Sequence, residues 1–108
     1  MIRRSRTHRD ASALLSALKL YLDYAAENGP ECPSAGRTPP EWTRLTGAVE
    51  KARESATRTL GYKLNCLVVN IELYEQSTDM NREHRLSALI QARDVYRHTA
   101  DPWKENTT

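Results

Sequence analysis

Apolar side chains recur every three or four residues through three stretches of the chain, which is the spacing of one face of an α-helix. The stretches are residues 11–27, residues 40–76 and residues 82–99. Between the first two, the segment from Gly29 to Pro39 holds three prolines and shows no apolar periodicity, which is typical of a loop. The pattern predicts an all-α fold: a helical hairpin whose second helix is long, followed by a third, shorter helix.

The second predicted helix is the longest element. Thr38 precedes two prolines, an arrangement that favours the start of a helix, and the apolar positions keep their phase for thirty residues from Leu45 onward. The run 67–71 is rich in β-branched residues and would also suit a strand, but the sequence shows no partner strand. Gly61 lies inside the pattern, where it costs about 1 kcal/mol relative to alanine, so we expect either a continuous helix over 40–76 or a bend near Gly61.

Composition limits the size and the class of the molecule. The chain has 108 residues, 39% of them hydrophobic, which fits one globular domain. Phe is absent, so the predicted core is built from Leu, Val, Ile, Ala and Tyr, and self-association would add to a core of this modest size. No apolar run approaches the roughly 20 residues that cross a bilayer, so we expect a soluble, unsecreted protein with no membrane partner.

The sequence holds no recognisable catalytic or metal-binding motif. Its histidines are scattered, and it has neither a glycine-rich phosphate loop nor an HExxH motif. Cys32 and Cys66 have neither a CxxC partner nor a histidine at ligand spacing, and whether they form a disulfide stays open. We expect a protein that is not an enzyme and that needs no metal and no cofactor.

The net charge of +2 hides a separation of charge along the chain. Residues 1–10 hold four arginines against one acidic residue, and residues 35–66 hold six basic residues against three acidic ones. We treat residues 1–10 as a basic N-terminal arm, residues 11–99 as one helical domain and residues 100–108 as a polar C-terminal tail. The arginines of the arm either solvate the chain or contact a partner.

Basic residues form a row along the second predicted helix. Arg44, Lys51 and Arg58 are seven residues apart, so on one helix they lie within about 40° of each other and span about 21 Å. Arg37, in the preceding loop, is placed to extend the row. Such a row is either a solvated face or a line of contacts to phosphates. Hydroxyl groups that suit phosphate and ribose contacts stand beside it on Ser55, Thr59 and Tyr62.

The segment from Lys51 to Leu60, Lys-Ala-Arg-Glu-Ser-Ala-Thr-Arg-Thr-Leu, resembles the core helix of the nodavirus B2 proteins, which bind double-stranded RNA and suppress RNA silencing. In that family a Lys-Ala-Lys stretch is followed by a small hydroxyl residue, an arginine and an apolar residue. A proline-containing loop and a first amphipathic helix precede the motif there, as they do here. The resemblance extends over about residues 11–75.

The resemblance implies a homodimer in which two copies form a four-helix bundle, with an orientation that the sequence leaves open. The long helices would lie along one face of an RNA duplex and bind it independently of base sequence. In this way a viral protein would shield double-stranded RNA and siRNA from Dicer and silencing complexes in the host cytoplasm. Dicer and other silencing proteins would be further partners.

The same resemblance assigns individual residues. Lys51 and Arg58 match basic RNA-contacting positions of the family, and Ser55 and Thr57 fall near its hydroxyl contacts. An arginine that the family carries near the start of the second helix falls at Pro40 here, so a neighbouring arginine would replace it. The predicted RNA-binding residues are therefore Arg37, Arg44, Lys51, Ser55, Thr57, Arg58 and Tyr62.

Two other classes of function stay open. A small helical inhibitor of viral or phage origin would bind a host protein through apolar residues of the third predicted helix and the tail. Its anchors would be Val95, Tyr96 and Trp103. The other class is a helical dimer that binds DNA, although the sequence shows no helix-turn-helix spacing and no arginine-rich recognition helix.

Overall fold

Four α-helices make up the chain in the computed structural model, which describes the backbone of residues 5–105 and the side chains of residues 5–100. The helices are α1 (Arg6–Asn28), α2 (Pro40–Ser55), α3 (Arg58–Glu75) and α4 (Arg82–Glu105). No strand occurs among the described residues, so the run 67–71 is helical and the predicted all-α class is confirmed. Association into a dimer stays a prediction.

The helices pack as two hairpins. α1 lies against α2, α3 lies against α4, and a further contact between α1 and α4 joins the pairs. Direct contact between α2 and α3 is the least extensive of these, so a groove runs between them on one side of the molecule. The described chain measures 46 × 24 × 21 Å along its principal axes.

Leucine, alanine and tyrosine side chains dominate the core, as the composition predicts. Tyr21 is fully buried in α1, and its ring centroid lies 5.3 Å from that of Trp42 and 6.4 Å from that of Tyr74. This aromatic cluster links α1 to both α2 and α3. The Ser34 hydroxyl donates a hydrogen bond to the buried Glu75 carboxylate, which ties the loop after α1 to the end of α3.

The predicted N-terminal arm is helical from Arg6 onward. Ser5 is the N-cap of α1, because its hydroxyl oxygen accepts a hydrogen bond from the backbone N–H of His8 at 3.1 Å. Placing the helix start at residue 11 was therefore wrong by about one turn, and Arg9 belongs to a helix surface. The first four residues, with Arg3 and Arg4, lie outside the described part of the chain.

The predicted long helix over 40–76 is wrong, because the chain divides at Ala56 and Thr57. Both residues adopt extended backbone, with ψ of 140° and 171°. The Thr57 hydroxyl then accepts a hydrogen bond from the N–H of Leu60 at 3.2 Å and caps α3. Thr7 in α1 donates a hydrogen bond to the Ser55 carbonyl at 2.7 Å, which satisfies an acceptor at the end of α2.

Gly61, the predicted site of a bend, lies in the first turn of α3. Its N–H donates to the carbonyl oxygen of Thr57 at 2.7 Å, so the backbone there is already helical. The bend near Gly61 was therefore wrong, and the true break comes four residues earlier. Threonine can lie inside a helix or cap the start of one. Here the Thr57 hydroxyl caps α3, so the helix breaks at this residue.

The last helix is longer than predicted. α4 continues through residues 100–105, which the sequence analysis assigned to the polar tail. Tyr96 is 1% exposed and packs in the core, so it is wrong as a surface anchor, whereas Val95 is 47% exposed. The side chain of Trp103 lies outside the described part of the chain. Both cysteines are free thiols, Cys32 buried and Cys66 exposed, so the structure has no disulfide between them.

Candidate nucleic-acid interface

A surface groove of about 500 Å³ runs between α1 and α2. Most of the residues on its floor are small, which allows the two helices to lie close together. They are Ala13, Ser16, Ala17, Gly47 and Ala48. Arg44 and Lys51 stand on the α2 side, and Asp10 lies on the α1 side. Two of the predicted RNA-binding residues therefore border one concave surface.

Arg58 lies beyond the break, as the first residue of α3. The straight row of Arg44, Lys51 and Arg58 along one helix is therefore wrong, because α2 ends at Ser55. All three side chains are exposed. The positive surface consists of a segment on α2 and a separate charge at the start of α3.

These three cations have no ion-pair partner within residues 5–100. Five basic residues of the same region form ion pairs with carboxylates, whereas five others also lack one. The paired residues are Arg6, Lys19, Arg82, Arg93 and Arg97, and the others are Arg9, Arg37, Arg53, Lys63 and Arg85. The difference matters, because an unpaired surface cation keeps its full charge for an external anion. Arg44, Lys51 and Arg58 are in that state.

Arg9 belongs to the predicted N-terminal arm and is a candidate that the predicted RNA-binding residues do not include. In α1 it precedes Ala13, Ser16 and Leu20 by four, seven and eleven residues, so it lies within about 40° of these groove-lining positions. Its side chain is exposed and forms no ion pair within the described side chains. In the sequence, the spacing of residues 9, 13, 16 and 20 indicates one face of a helix. That spacing is informative only if the helix begins before residue 9, as α1 does.

Arg37 lies in the turn region between α1 and α2. Its side chain is exposed, and its backbone N–H donates to the Cys32 carbonyl at 3.0 Å. Partial removal from water raises the pKa of Tyr24, and the positive charge of Arg37 acts against that rise. The backbone bond to Cys32 holds Arg37 in the segment that follows α1, and Arg37 is not one of the described residues that line the groove.

The two predicted hydroxyl contacts have structural roles at the break. Ser55 is half-buried and its hydroxyl donates to the Lys51 carbonyl at 3.4 Å. Thr57 is exposed, and its oxygen accepts the capping bond, so the cap does not use its hydroxyl proton. Of the two, Thr57 keeps a donor for a phosphate or a ribose hydroxyl.

Tyr62 projects from the first turns of α3. Its side chain is 65% exposed, and the Lys63 ammonium lies 5.5 Å from the ring centroid, within cation–π range. It follows Arg58 by four residues, so the two share a face of α3. Tyr62 is thus available to a partner on that face.

Asp10 is the one acidic side chain among the described residues that line the groove between α1 and α2. Glu50 and Glu72 border the second groove, of about 220 Å³, between α2 and α3. Glu54 forms an ion pair with Arg6 at 3.3 Å. Arg44 and Lys51 therefore border a different groove from Glu50, although Arg53 of α2 also lines the second groove.

The comparisons with known proteins identify no family for this chain. Neither a family model, nor a curated protein, nor a solved structure matches the chain. The described residues contain no group of three or more His, Cys, Asp or Glu that could hold a metal ion. None of the described helices is both long and apolar enough to cross a bilayer.

Proposed function

We propose that this protein binds double-stranded RNA independently of base sequence. The observation that carries the proposal is a set of exposed cations without ion-pair partners among residues 5–100, namely Arg44, Lys51 and Arg58. A-form RNA is recognised mainly through phosphates and 2′-hydroxyls, because its deep major groove excludes side chains. A surface of cations with adjacent hydroxyl groups suits that kind of contact.

Each residue has a role in the proposed contact. Arg44, Lys51 and Arg58 bind phosphate oxygens, and Thr57 donates its free hydroxyl proton to a phosphate or a ribose hydroxyl. Ser55 supports this surface structurally, since its hydroxyl donates to the Lys51 backbone carbonyl in the last turn of α2. Arg37 and Tyr62 extend the contact beyond the groove, at the α1–α2 turn and on α3, and Arg9 adds a charge from α1.

A homodimer is part of this proposal, because two copies double the number of phosphate contacts along one duplex. By covering the duplex, the dimer shields viral RNA and siRNA from Dicer and silencing complexes in the host cytoplasm. The protein then acts as a viral suppressor of RNA silencing without catalysing a reaction.

The test is a titration of a blunt RNA duplex of arbitrary sequence, with single-stranded RNA and the same duplex as DNA as separate competitors. Lys51→Ala/Arg58→Ala is the test variant. Lys19→Ala/Arg97→Ala is the matched control, because it removes the same charge from side chains that are already paired. We expect the test variant to weaken binding at least tenfold and to reduce the dependence on salt by about one unit of log–log slope for each phosphate that is no longer neutralised.

The control variant should bind as the wild-type protein does, and neither competitor should displace the duplex. Equal weakening in both variants would show that net charge alone drives the binding. Equal competition by the DNA duplex would replace the proposal with a general duplex binder, and no binding at low salt would remove it. Circular dichroism of both variants checks that the helices are intact.

A second candidate, an inhibitor that binds a host protein, is favoured by the groove between α2 and α3. Its lining includes the apolar side chains of Trp42, Val49, Val68 and Ile71, the kind of surface that accommodates a protein anchor. A single stoichiometric partner, retained after nuclease treatment and lost in Val49→Glu, would support this function. Retention by Val49→Glu would exclude the groove as its site.

A further inference from the structure

α3 carries a second apolar stripe, on the side opposite its buried one. Tyr62, Cys66, Val69 and Leu73 are spaced four, three and four residues apart. Tyr62 is 65% and Val69 52% exposed, Cys66 is exposed and Leu73 is half-buried. The core side of the helix is formed by residues about 160° away around the axis, namely Leu60, Leu64, Leu67 and Ile71. A helix with apolar residues on both sides is typically covered on both.

The spacing of the outer stripe is that of the a and d positions of a heptad, the pattern with which helices form a shared seam. In this assignment Cys66 and Leu73 take a positions, and Tyr62 and Val69 take d positions. We propose that this stripe is a homodimer interface, in which the α3 helices of two copies pack antiparallel. The inference rests on the homodimer of the proposed function and names its surface.

The apolar positions fix one antiparallel register. In an antiparallel seam each a position faces a d position, so Cys66 lies opposite the partner subunit's Val69, and Tyr62 opposite the partner subunit's Leu73. All four apolar positions then face apolar positions, and the Tyr62 ring packs at the end of the seam with its hydroxyl left at the edge for the RNA contact of the proposed function. If one copy is shifted by seven residues so that Val69 faces the partner subunit's Thr59, then Leu73 faces a position that precedes the partner's α3. The register is therefore set by the sequence of α3 itself.

The flanking charges favour the antiparallel orientation over the parallel one. In the antiparallel register Lys63 lies opposite the partner subunit's Asn70, and Asn65 lies opposite the partner subunit's Glu72, so no like charges face each other. In a parallel seam Arg58 would face the partner subunit's Lys63, which is a repulsive pair. A second copy in the antiparallel orientation is thus the occupant whose charges fit this face.

Sedimentation equilibrium over a range of protein concentrations, without RNA, tests the interface. We expect the wild-type protein to associate into dimers and Val69→Glu to dimerise at least tenfold more weakly. Leu20→Glu is the matched control, since Leu20 is also an exposed apolar helix residue, 42% exposed, on α1. A wild-type protein that stays monomeric, or a Val69→Glu variant that dimerises as the wild type does, would overturn the proposal.

Disulfide trapping tests the orientation. The wild-type chain is mixed with a size-tagged Cys66→Ala/Val69→Cys chain under mild oxidation. In the antiparallel register the mixed pair forms a disulfide between Cys66 and the new thiol of the partner, while neither chain crosslinks with itself. A parallel dimer would give the reverse result, with each chain crosslinked to its own kind, and would overturn the antiparallel arrangement.

The two experiments separate this inference from RNA binding. Loss of dimers in Val69→Glu, with a duplex affinity that still depends on Lys51 and Arg58, leaves the function in place and confirms the interface. Dimers that form normally in a protein that does not bind duplex RNA would remove the function and keep the interface.

Discussion

Thr57 is the residue at which the fold and the proposed RNA contact can be separated most sharply. Its hydroxyl oxygen accepts the N–H of Leu60 at 3.2 Å and so begins α3 directly after α2 has ended. Thr57→Ala removes this acceptor and leaves an N–H of the first turn without its partner. Losing a threonine or serine cap costs about 1 kcal/mol of stability.

The expected shift in melting temperature follows from the size of the chain. An unfolding entropy of about 2.1 cal/mol/K per residue gives about 0.23 kcal/mol/K for 108 residues. A loss of about 1 kcal/mol therefore lowers Tm by about 4 °C. Thr57→Ser keeps the hydroxyl and should melt within about 1 °C of the wild-type protein.

Thr57→Asp distinguishes the cap from the contact. An aspartate at the N-cap accepts the same hydrogen bond and interacts favourably with the helix dipole, so the stability should stay near that of the wild-type protein. The added negative charge stands next to Arg58, so the affinity for an RNA duplex should fall severalfold. Thr57→Ala should show the opposite pattern. Its stability should be lower than that of Thr57→Asp, and its affinity for the RNA duplex should fall less.

Thermal unfolding followed by circular dichroism, and duplex titration at fixed salt, measure the two quantities in all three variants. Equal melting temperatures for Thr57→Ala and Thr57→Ser would refute the capping argument. A duplex affinity of Thr57→Asp equal to that of Thr57→Ser would refute the contact at this end of α3.

Two further predictions concern the core. Leu64 is fully buried, so Leu64→Ala should destabilise the fold by about 2–5 kcal/mol, whereas Val69→Ala on the outer face should cost far less; urea unfolding of both variants measures the difference. Burial, with a smaller contribution from Asp10, raises the pKa of Tyr96 to about 12, and burial also raises that of Tyr21. Their contribution to stability is complete below about pH 10, the value of the unfolded phenol, and falls as the pH rises towards 12, by at most about 1.4 kcal/mol per pH unit for each ring. Urea midpoints that stay constant between about pH 9 and pH 11 would contradict this.

The periodicity of apolar residues predicted most of the helical structure, but it could not locate the break between α2 and α3. Ala52, Ala56 and Leu60 continue with a spacing of four across the break, and all three pack against the core. The sequence marks the break only by Thr57, a residue that is found both at caps and inside helices. Gly61 carries the stronger local signal for a bend, which is why the prediction fell there instead.

The candidate site was predictable in part. A helical projection is enough to expect that Arg44 and Lys51 are exposed, because it depends on local geometry. Which cations are neutralised depends on distant residues: Arg6 pairs with Glu54, 48 positions away. That information lies in the packing of α1 against α2, which is why the sequence alone left open whether Arg9 contacts a partner.

The two thiols of this chain differ in a way that makes them useful as labels. Cys32 is completely buried and its thiol donates to the Asn28 carbonyl at 3.2 Å, whereas Cys66 is exposed on α3. A thiol reagent modifies Cys66 in the native protein but reaches Cys32 only when the segment after α1 opens. The slow reaction of Cys32 therefore measures the rate at which the N-terminal hairpin opens, without any engineered probe. The fast reaction of Cys66 should become slower as the protein concentration rises, to the extent that a second copy covers α3.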